Sequence, residues 1–304
     1  MSPSFAVLDS LSVMVARAGV GGRGYFSKSV DSPSLEQHCI DSRVLGPTGL
    51  KTGIHEARVS TLAGELGAAF LVHRWKGPEY PAIIYHHGVQ ENPFDLGLFA
   101  KNTFKTVLVA GKPEVQANLI AVRAPFHERS VRRFLDTMAY LSNFAAMLGA
   151  SVAVVEELVR ACRSAGVPRL LVSGLSLGGW ASNLHHAVYN SADAYIPMLA
   201  GTAFGKVFTE SEYIRLVGQA GKNQPAKLES VLNFGDAFSR VPHTNVFPVL
   251  GRYDRYIDFE TQKSCYGHQS ILVLDKGHVG AALSPRTLRA HVMQHLVQDL
   301  PARQ

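Results

Sequence analysis

The sequence predicts an α/β fold: an open, doubly wound, mostly parallel sheet with helices on both faces. Three observations support this. Short runs rich in apolar and β-branched residues recur along the chain and read as buried strands. Segments with apolar residues at three- and four-residue steps lie between them, and parallel neighbours need such crossovers. At 304 residues, of which 46% are apolar, the chain can bury a large core.

Residues 1–55 read as an irregular extension packed on the core, and residues 56–304 as the main domain. Within the main domain, GAAFLVHRW, PAIIYHHG and ANLIAVRAP are strands. The stretch from Arg129 to Gly166 reads as two helices broken near Gly149. After Pro168, RLLVSG is a strand, GGWASNLHHAVYN a helix, and DAYIPMLAG, TNVFPVLGRYD and QSILVLDKGH are strands. The closing SPRTLRAHVMQHLVQDL is amphipathic, with Ser284 as N-cap before Pro285. Residues 201–244 are too long for a plain loop and carry helical patterning, so they read as a small cap inserted in the sheet domain.

Composition excludes several classes. The formal net charge is +6, but Lys and Arg are scattered, so no nucleic-acid partner is expected. Cys39, Cys162 and Cys265 lack CxxC spacing, which argues against a disulfide framework or zinc site and for a cytoplasmic location. At the N-terminus no basic residue precedes the apolar part and Asp9 interrupts it, so it reads as an amphipathic helix or strand rather than a signal peptide. FAAMLGASVAVV falls short of the ~20 residues needed to span a bilayer and reads as a buried helix pair. GVGGRG at Gly19–Gly24 fits GxGxxG, but neither a helix nor an acidic strand end follows, so no dinucleotide cofactor is expected.

Sites in open α/β sheets form beyond the carboxyl ends of the strands, so the residues ending each apolar run are the informative ones. These are His86, His87 and Gly88 after PAIIY, Ser176 after RLLVSGL, Asp254 after VFPVLGRY, and His278 after ILVLDKG. The set supplies a nucleophile, an acid and a base in the order Ser, Asp, His. Ser176 sits in GLSLG, between a strand and a helix. A serine on so sharp a turn needs neighbours without side chains, and Gly174 and Gly178 occupy those places.

With GLSLGG, GRYDRYI and KGHVG, roughly residues 60–300 resemble the α/β-hydrolase superfamily. The resemblance implies the α/β-hydrolase fold and acyl chemistry, with Ser176 as nucleophile, His278 as base and Asp254 orienting the histidine. Oxyanion donors would be the backbone N–H groups of Leu177, after the nucleophile, and of Val89, after the His87–Gly88 pair that the family commonly carries there. No cofactor is implied. A metal on His86 and His87 is disfavoured, because adjacent strand residues point to opposite faces.

Rivals are weaker. His268 precedes the last strand, and His185 and His186 lie inside the helix after Ser176, where packing or surface roles are expected. Asp236 lies in the cap and Asp258 later in its loop than Asp254. The expected activity is hydrolysis of a carboxylic ester through an acyl-enzyme. Acyl transfer to another acceptor, peptidase or amidase action, and a non-catalytic binding role stay open. The partner would be a small or lipid-like acyl substrate. Phe204, Phe208, Tyr213, Ile214, Leu216 and Phe234 of the cap would either face an apolar acyl group or form the cap's own core. LAGTAFGKVFTESEY resembles a branch of the superfamily that includes eukaryotic members, without indicating a substrate.

Overall fold

The computed structural model describes residues 8–14 and 23–297. Nine strands form one sheet: β1 (Arg43–Leu45), β2 (Gly53–Thr61), β3 (Gly64–Arg74), β4 (Ala82–His86), β5 (Asn118–Arg123), β6 (Leu170–Leu175), β7 (Ala194–Met198), β8 (Val249–Gly251) and β9 (Leu272–Leu274). Their order is β1-β2-β3-β5-β4-β6-β7-β8-β9. From β5 through β9 the pairing is parallel, as expected; β1, β2, β3 and β5 pair antiparallel, which the sequence reading did not separate out.

Burial explains the division. β4, β6 and β7 are buried at every position, because helices cover both faces of the parallel part. β2 alternates between exposed and buried residues, as an antiparallel strand with one wet face should. Within β4 the faces alternate: Ala82 and Ile84 join the apolar cluster on one side of the sheet, Ile83 and Tyr85 the cluster on the other.

The helices are α1 (residues 8–14), α2 (Leu35–Asp41), α3 (Val131–Met138), α4 (Leu141–Ser164), α5 (Leu177–Val188), α6 (Gly205–Thr209), α7 (Gln219–Lys222), α8 (Pro225–Leu232), α9 (Gly235–Ser239), α10 (Phe259–Ser264), α11 (His278–Ala282) and α12 (Pro285–Val297). A π-helical turn covers Lys105–Val109 and a 3-10 turn Glu212–Leu216. Residues 201–244, between β7 and β8, thus hold four short helices and the 3-10 turn.

Three expectations are corrected here. Residues 1–55 are not irregular throughout: α1, α2, β1 and the start of β2 fall within them. α2 is capped by Ser34, whose side chain accepts the Gln37 N–H, and it buries Leu35 and Cys39; seven residues are too few for a clear periodic signal. The helix pair from Arg129 to Gly166 breaks at Ala139–Tyr140, not near Gly149, and α4 runs straight through Gly149. The glycine is there for close packing: a Cβ on it would lie 2.6 Å from the His38 carbonyl oxygen of α2. FAAMLGASVAVV therefore lies in one buried helix, α4, rather than in two. Most of GVGGRG lies outside the described residues.

Among the described residues no helix is long and apolar enough to cross a membrane.

Candidate active site

The turn from β6 into α5 carries Ser176 at φ 54° and ψ −112°, a conformation that costs a non-glycine residue of order 1–3 kcal/mol. It is held from both sides, by the Ser176 N–H donating to the Met198 carbonyl at 2.8 Å and by the Trp180 N–H donating to the Ser176 carbonyl at 3.0 Å. The flanking glycines answer to space. A Cβ on Gly178 would stand 2.0 Å from the His86 carbonyl oxygen, and one on Gly174 would stand 2.5 Å from the Gly178 backbone. Any side chain at either place would push α5 off the sheet and move Ser176 with it.

The Ser176 hydroxyl lies 3.2 Å from His278 Nε2, and His278 Nδ1 lies 2.7 Å from Asp254 Oδ2. Asp254 follows β8 and His278 opens α11 after β9, so three strand ends meet at one point. The other Asp254 oxygen accepts the N–H groups of Tyr256 at 2.8 Å and Ile257 at 2.9 Å, which fixes the carboxylate plane. An ionised carboxylate can only accept, so Nδ1 carries the imidazole proton and Nε2 presents a lone pair to the serine. Burial, the largest single influence on His278, favours its neutral form. The charge and hydrogen bond of Asp254, with the charge of Asp9, outweigh it and raise the pKa above the ordinary value.

The loop after β4 lies alongside. Among the described residues the N–H groups of Leu177 and Val89 donate to no protein acceptor, and both residues line a small cavity with Ser176. Glu91 closes this loop, accepting the Gly88 N–H at 3.1 Å, the Thr103 hydroxyl at 2.7 Å and the Thr103 N–H at 3.2 Å. Burial raises the Glu91 pKa against the opposing pull of those bonds. Space does not demand glycine at position 88, since a Cβ there would make only ordinary contacts.

His87 is buried below the loop. Its Nε2 accepts the Ala124 N–H at 3.0 Å, so its Nδ1–H donates to the Gly88 carbonyl. Its ring stacks on His86 with centroids 4.9 Å apart and meets His127 edge-on at 4.5 Å. Burial holds His86 and His127 down to about 4 and His87 well below its usual value. Neutral, interlocked rings form the floor beneath the loop. Among the described residues no three His, Cys, Asp or Glu side chains converge as a metal site requires.

Two spaces adjoin Ser176. One, of about 40 Å³, is walled by aromatic rings including Tyr25, Phe144, Trp180, Phe204, Phe208 and Tyr213. The other is a cleft of about 340 Å³ bordered by Glu91, Lys101, Thr103, Tyr256, His278 and Leu283. Of the cap residues singled out in the sequence, Phe204, Phe208 and Tyr213 reach the aromatic cavity. Phe234 packs edge-on against Trp180 and Leu216 against the core, while Ile214 is partly exposed. Tyr25 and Phe144 gave no sequence signal as site residues, because one lies in the N-terminal segment and the other on α4.

The rivals lie elsewhere. His268 is exposed, and Asp258 caps α10 by accepting the Thr261 N–H at 2.9 Å. Asp236 is exposed on α9. His185 and His186 are buried packing residues of α5, bonded to Glu156 and to the Pro242 carbonyl. One neighbour of His278 gave no sequence signal as such: Asp9, which the sequence presents only as an interruption in an apolar stretch. Its carboxylate is buried against the backbone at His278.

Comparison with known proteins follows the same line. The family described as Alpha/beta hydrolase domain containing 18 matches residues 120–217, about a third of the chain. No curated protein matches the sequence. Among solved structures, an acylaminoacyl peptidase of Pyrococcus horikoshii superposes with a TM-score of 0.54 at 15% identity. That match covers 84% of this chain and 43% of the peptidase, so this chain spans less than half of that protein's length. An esterase of Pyrococcus furiosus has a TM-score of 0.52 at 14% identity, covering 84% of this chain and 95% of its own. A cold-adapted esterase from an Arctic intertidal metagenomic library has a TM-score of 0.53 at 15% identity, covering 84% of this chain and all of its own. At such identities the likeness is one of fold: the chain has the α/β-hydrolase fold, and its central third is similar to that family.

Proposed function

We propose that the protein is a serine hydrolase that cleaves carboxylic esters of short acyl chains. The observation that carries the reading is the unbroken contact from Ser176 Oγ to His278 Nε2 and from Nδ1 to Asp254. A serine hydroxyl is a poor nucleophile near neutral pH, and a base within hydrogen-bond reach corrects that. His278 takes the proton as Ser176 Oγ attacks the acyl carbon. Asp254 holds the imidazole tautomer and stabilises the imidazolium. The carbonyl oxygen, now negative, turns to the N–H groups of Leu177 and Val89, where each donor is worth ~3 kcal/mol in the transition state. The tetrahedral intermediate collapses, the alcohol leaves with the proton from His278, and water repeats the sequence to free the acid and restore Ser176.

The two spaces divide the substrate. The leaving alcohol must lie where His278 can protonate it, and the larger cleft borders His278 whereas the aromatic cavity does not. The acyl group therefore takes the aromatic cavity, under a cap formed by residues 201–244. A water needs roughly 10–15 Å³ by the same measure, so about 40 Å³ admits only a few heavy atoms. The ester reading also follows the solved esterases, which this chain matches over nearly their whole length, whereas it matches under half of the peptidase.

Turnover of p-nitrophenyl esters of rising chain length tests both parts. Acetate to butyrate should exceed decanoate by about tenfold or more in kcat/KM, since each misplaced methylene is worth ~1–3 kcal/mol. Ser176→Ala should lose about 10³-fold or more in kcat. Undiminished turnover by Ser176→Ala contradicts the assignment, and a preference for long chains contradicts the acyl pocket.

A further inference from the structure

The residues that α1 buries are the reverse of what an amphipathic helix usually buries. Leu8, Leu11 and Met14 face outward, while Asp9 and Val13, one turn apart, face in. Asp9 is fully buried, and its carboxylate accepts three backbone N–H groups: His278 at 2.8 Å and Arg255 at 3.2 Å on Oδ2, and Val279 at 3.0 Å on Oδ1. All three partners are donors, the pattern an ionised carboxylate satisfies. They belong to two separate loops, one next to Asp254 and the other carrying His278 itself. The Asp9 carbonyl also accepts the Tyr256 hydroxyl at 2.7 Å, and the Tyr256 ring lies 4.8 Å from the His278 ring.

A buried carboxylate is costly to desolvate, and apolar burial contributes little to holding α1 on its described residues. The arrangement makes sense if the carboxylate's work is on the loops it joins. We propose that Asp9 is a positioning residue: it ties the acid loop to the base loop and places a second negative charge beside the His278 imidazole. It touches no reacting atom and acts through His278. The inference rests on the reading of His278 as the general base. Asp254, Tyr256 and Ser176 contact that imidazole, and Asp9 acts on it by charge from the backbone N–H of the same residue; the two carboxylates carry the charge.

The test is Asp9→Asn, which keeps size and removes charge. With histidine isotopically labelled at Cε1 and the His278 signal assigned by its loss in His278→Gln, the titration midpoint of His278 should fall by about one pH unit. In ester turnover, kcat should drop about tenfold with KM little changed, and the acid limb of the pH profile should move down with the imidazole midpoint. An unchanged His278 midpoint overturns the proposal. So does a rise in KM with kcat unchanged, which would place the effect on substrate binding rather than on the base. If the variant does not fold, amide exchange in the wild type decides: the His278 and Val279 amides should be protected about 100-fold or more, and exchange at the unprotected rate overturns the proposal. The titration needs no turnover, so failure of Ser176 to act as nucleophile shows separately, as turnover retained in Ser176→Ala.

Discussion

Two buried histidines, His185 and His278, each touch a carboxylate, and they end in opposite electrostatic states. His185 Nε2 lies 3.1 Å from Glu156 Oε2, yet burial prevails over the hydrogen bond and charge of Glu156 and its pKa is lowered. At His278 burial is again the largest influence, but Asp254 and Asp9 together overcome it and the pKa is raised. The difference lies in what else the carboxylates serve. Glu156 is shared with the Arg160 guanidinium at 2.7 Å and the Ser191 hydroxyl at 2.5 Å. Asp254 and Asp9 are met otherwise by neutral backbone N–H groups. A carboxylate whose charge is already matched leaves a buried histidine less basic than usual; one whose charge is left to the imidazole makes it more basic.

Breaking the second pair should have the largest effect. Asp254→Asn should lower kcat by about 10⁴-fold, because the amide disturbs the tautomer and withdraws the charge. Stopped-flow or steady-state ester turnover would show it, and a loss below tenfold would put His278 under other control.

The histidines below the loop come next, and they work in the opposite sense to His278. His86 and His127 are held down to about 4, so the unfolded chain takes up their protons near 6.5 while the folded chain does not. Their stabilising effect is complete above pH ~6.5 and is lost as pH falls towards 4, by about 3 kcal/mol for each at most. His278, with its raised pKa, stabilises the fold at low pH and loses that contribution as pH rises through its midpoint. Urea midpoints at pH 7 and pH 4.5 measure the balance, and His127→Gln should flatten the dependence. A flat profile in the wild type would contradict the buried, neutral cluster.

The smallest effect is expected at the first pair. Glu156→Gln leaves His185, Arg160 and Ser191 with a weaker acceptor and should cost about 1–2 kcal/mol of stability. Its kcat/KM should stay within about twofold of wild type, since structural changes remote from the site act independently of it. A large fall in turnover without loss of stability would mean that the two histidines are coupled after all.

What the sequence reveals of this site follows from how local each constraint is. GLSLG is legible because the strained turn and the crossing of α5 over β4 demand particular residues within five positions. Asp254 and His278 are legible because strand ends are recognisable, and the fold brings such ends together. Asp9 is not legible, because its partners lie 246 to 270 positions away and are backbone groups that no side-chain motif records. Gly149 misleads for a related reason: a glycine that admits a neighbouring helix looks, in one dimension, like a glycine that ends its own. α2, β1 and Tyr25 were hidden in the N-terminal segment, where short elements leave little periodicity to read.

The central claim is that His278 activates Ser176. Fluorophosphonate labelling followed over pH, with the adduct located by peptide mapping, tests it most directly. The account predicts one adduct on the peptide carrying Ser176, absent in Ser176→Ala. Its rate of formation should rise with pH through a midpoint above the ordinary histidine value of about 6.5. An adduct on another residue, or a rate at Ser176 that ignores pH across that range, would contradict it.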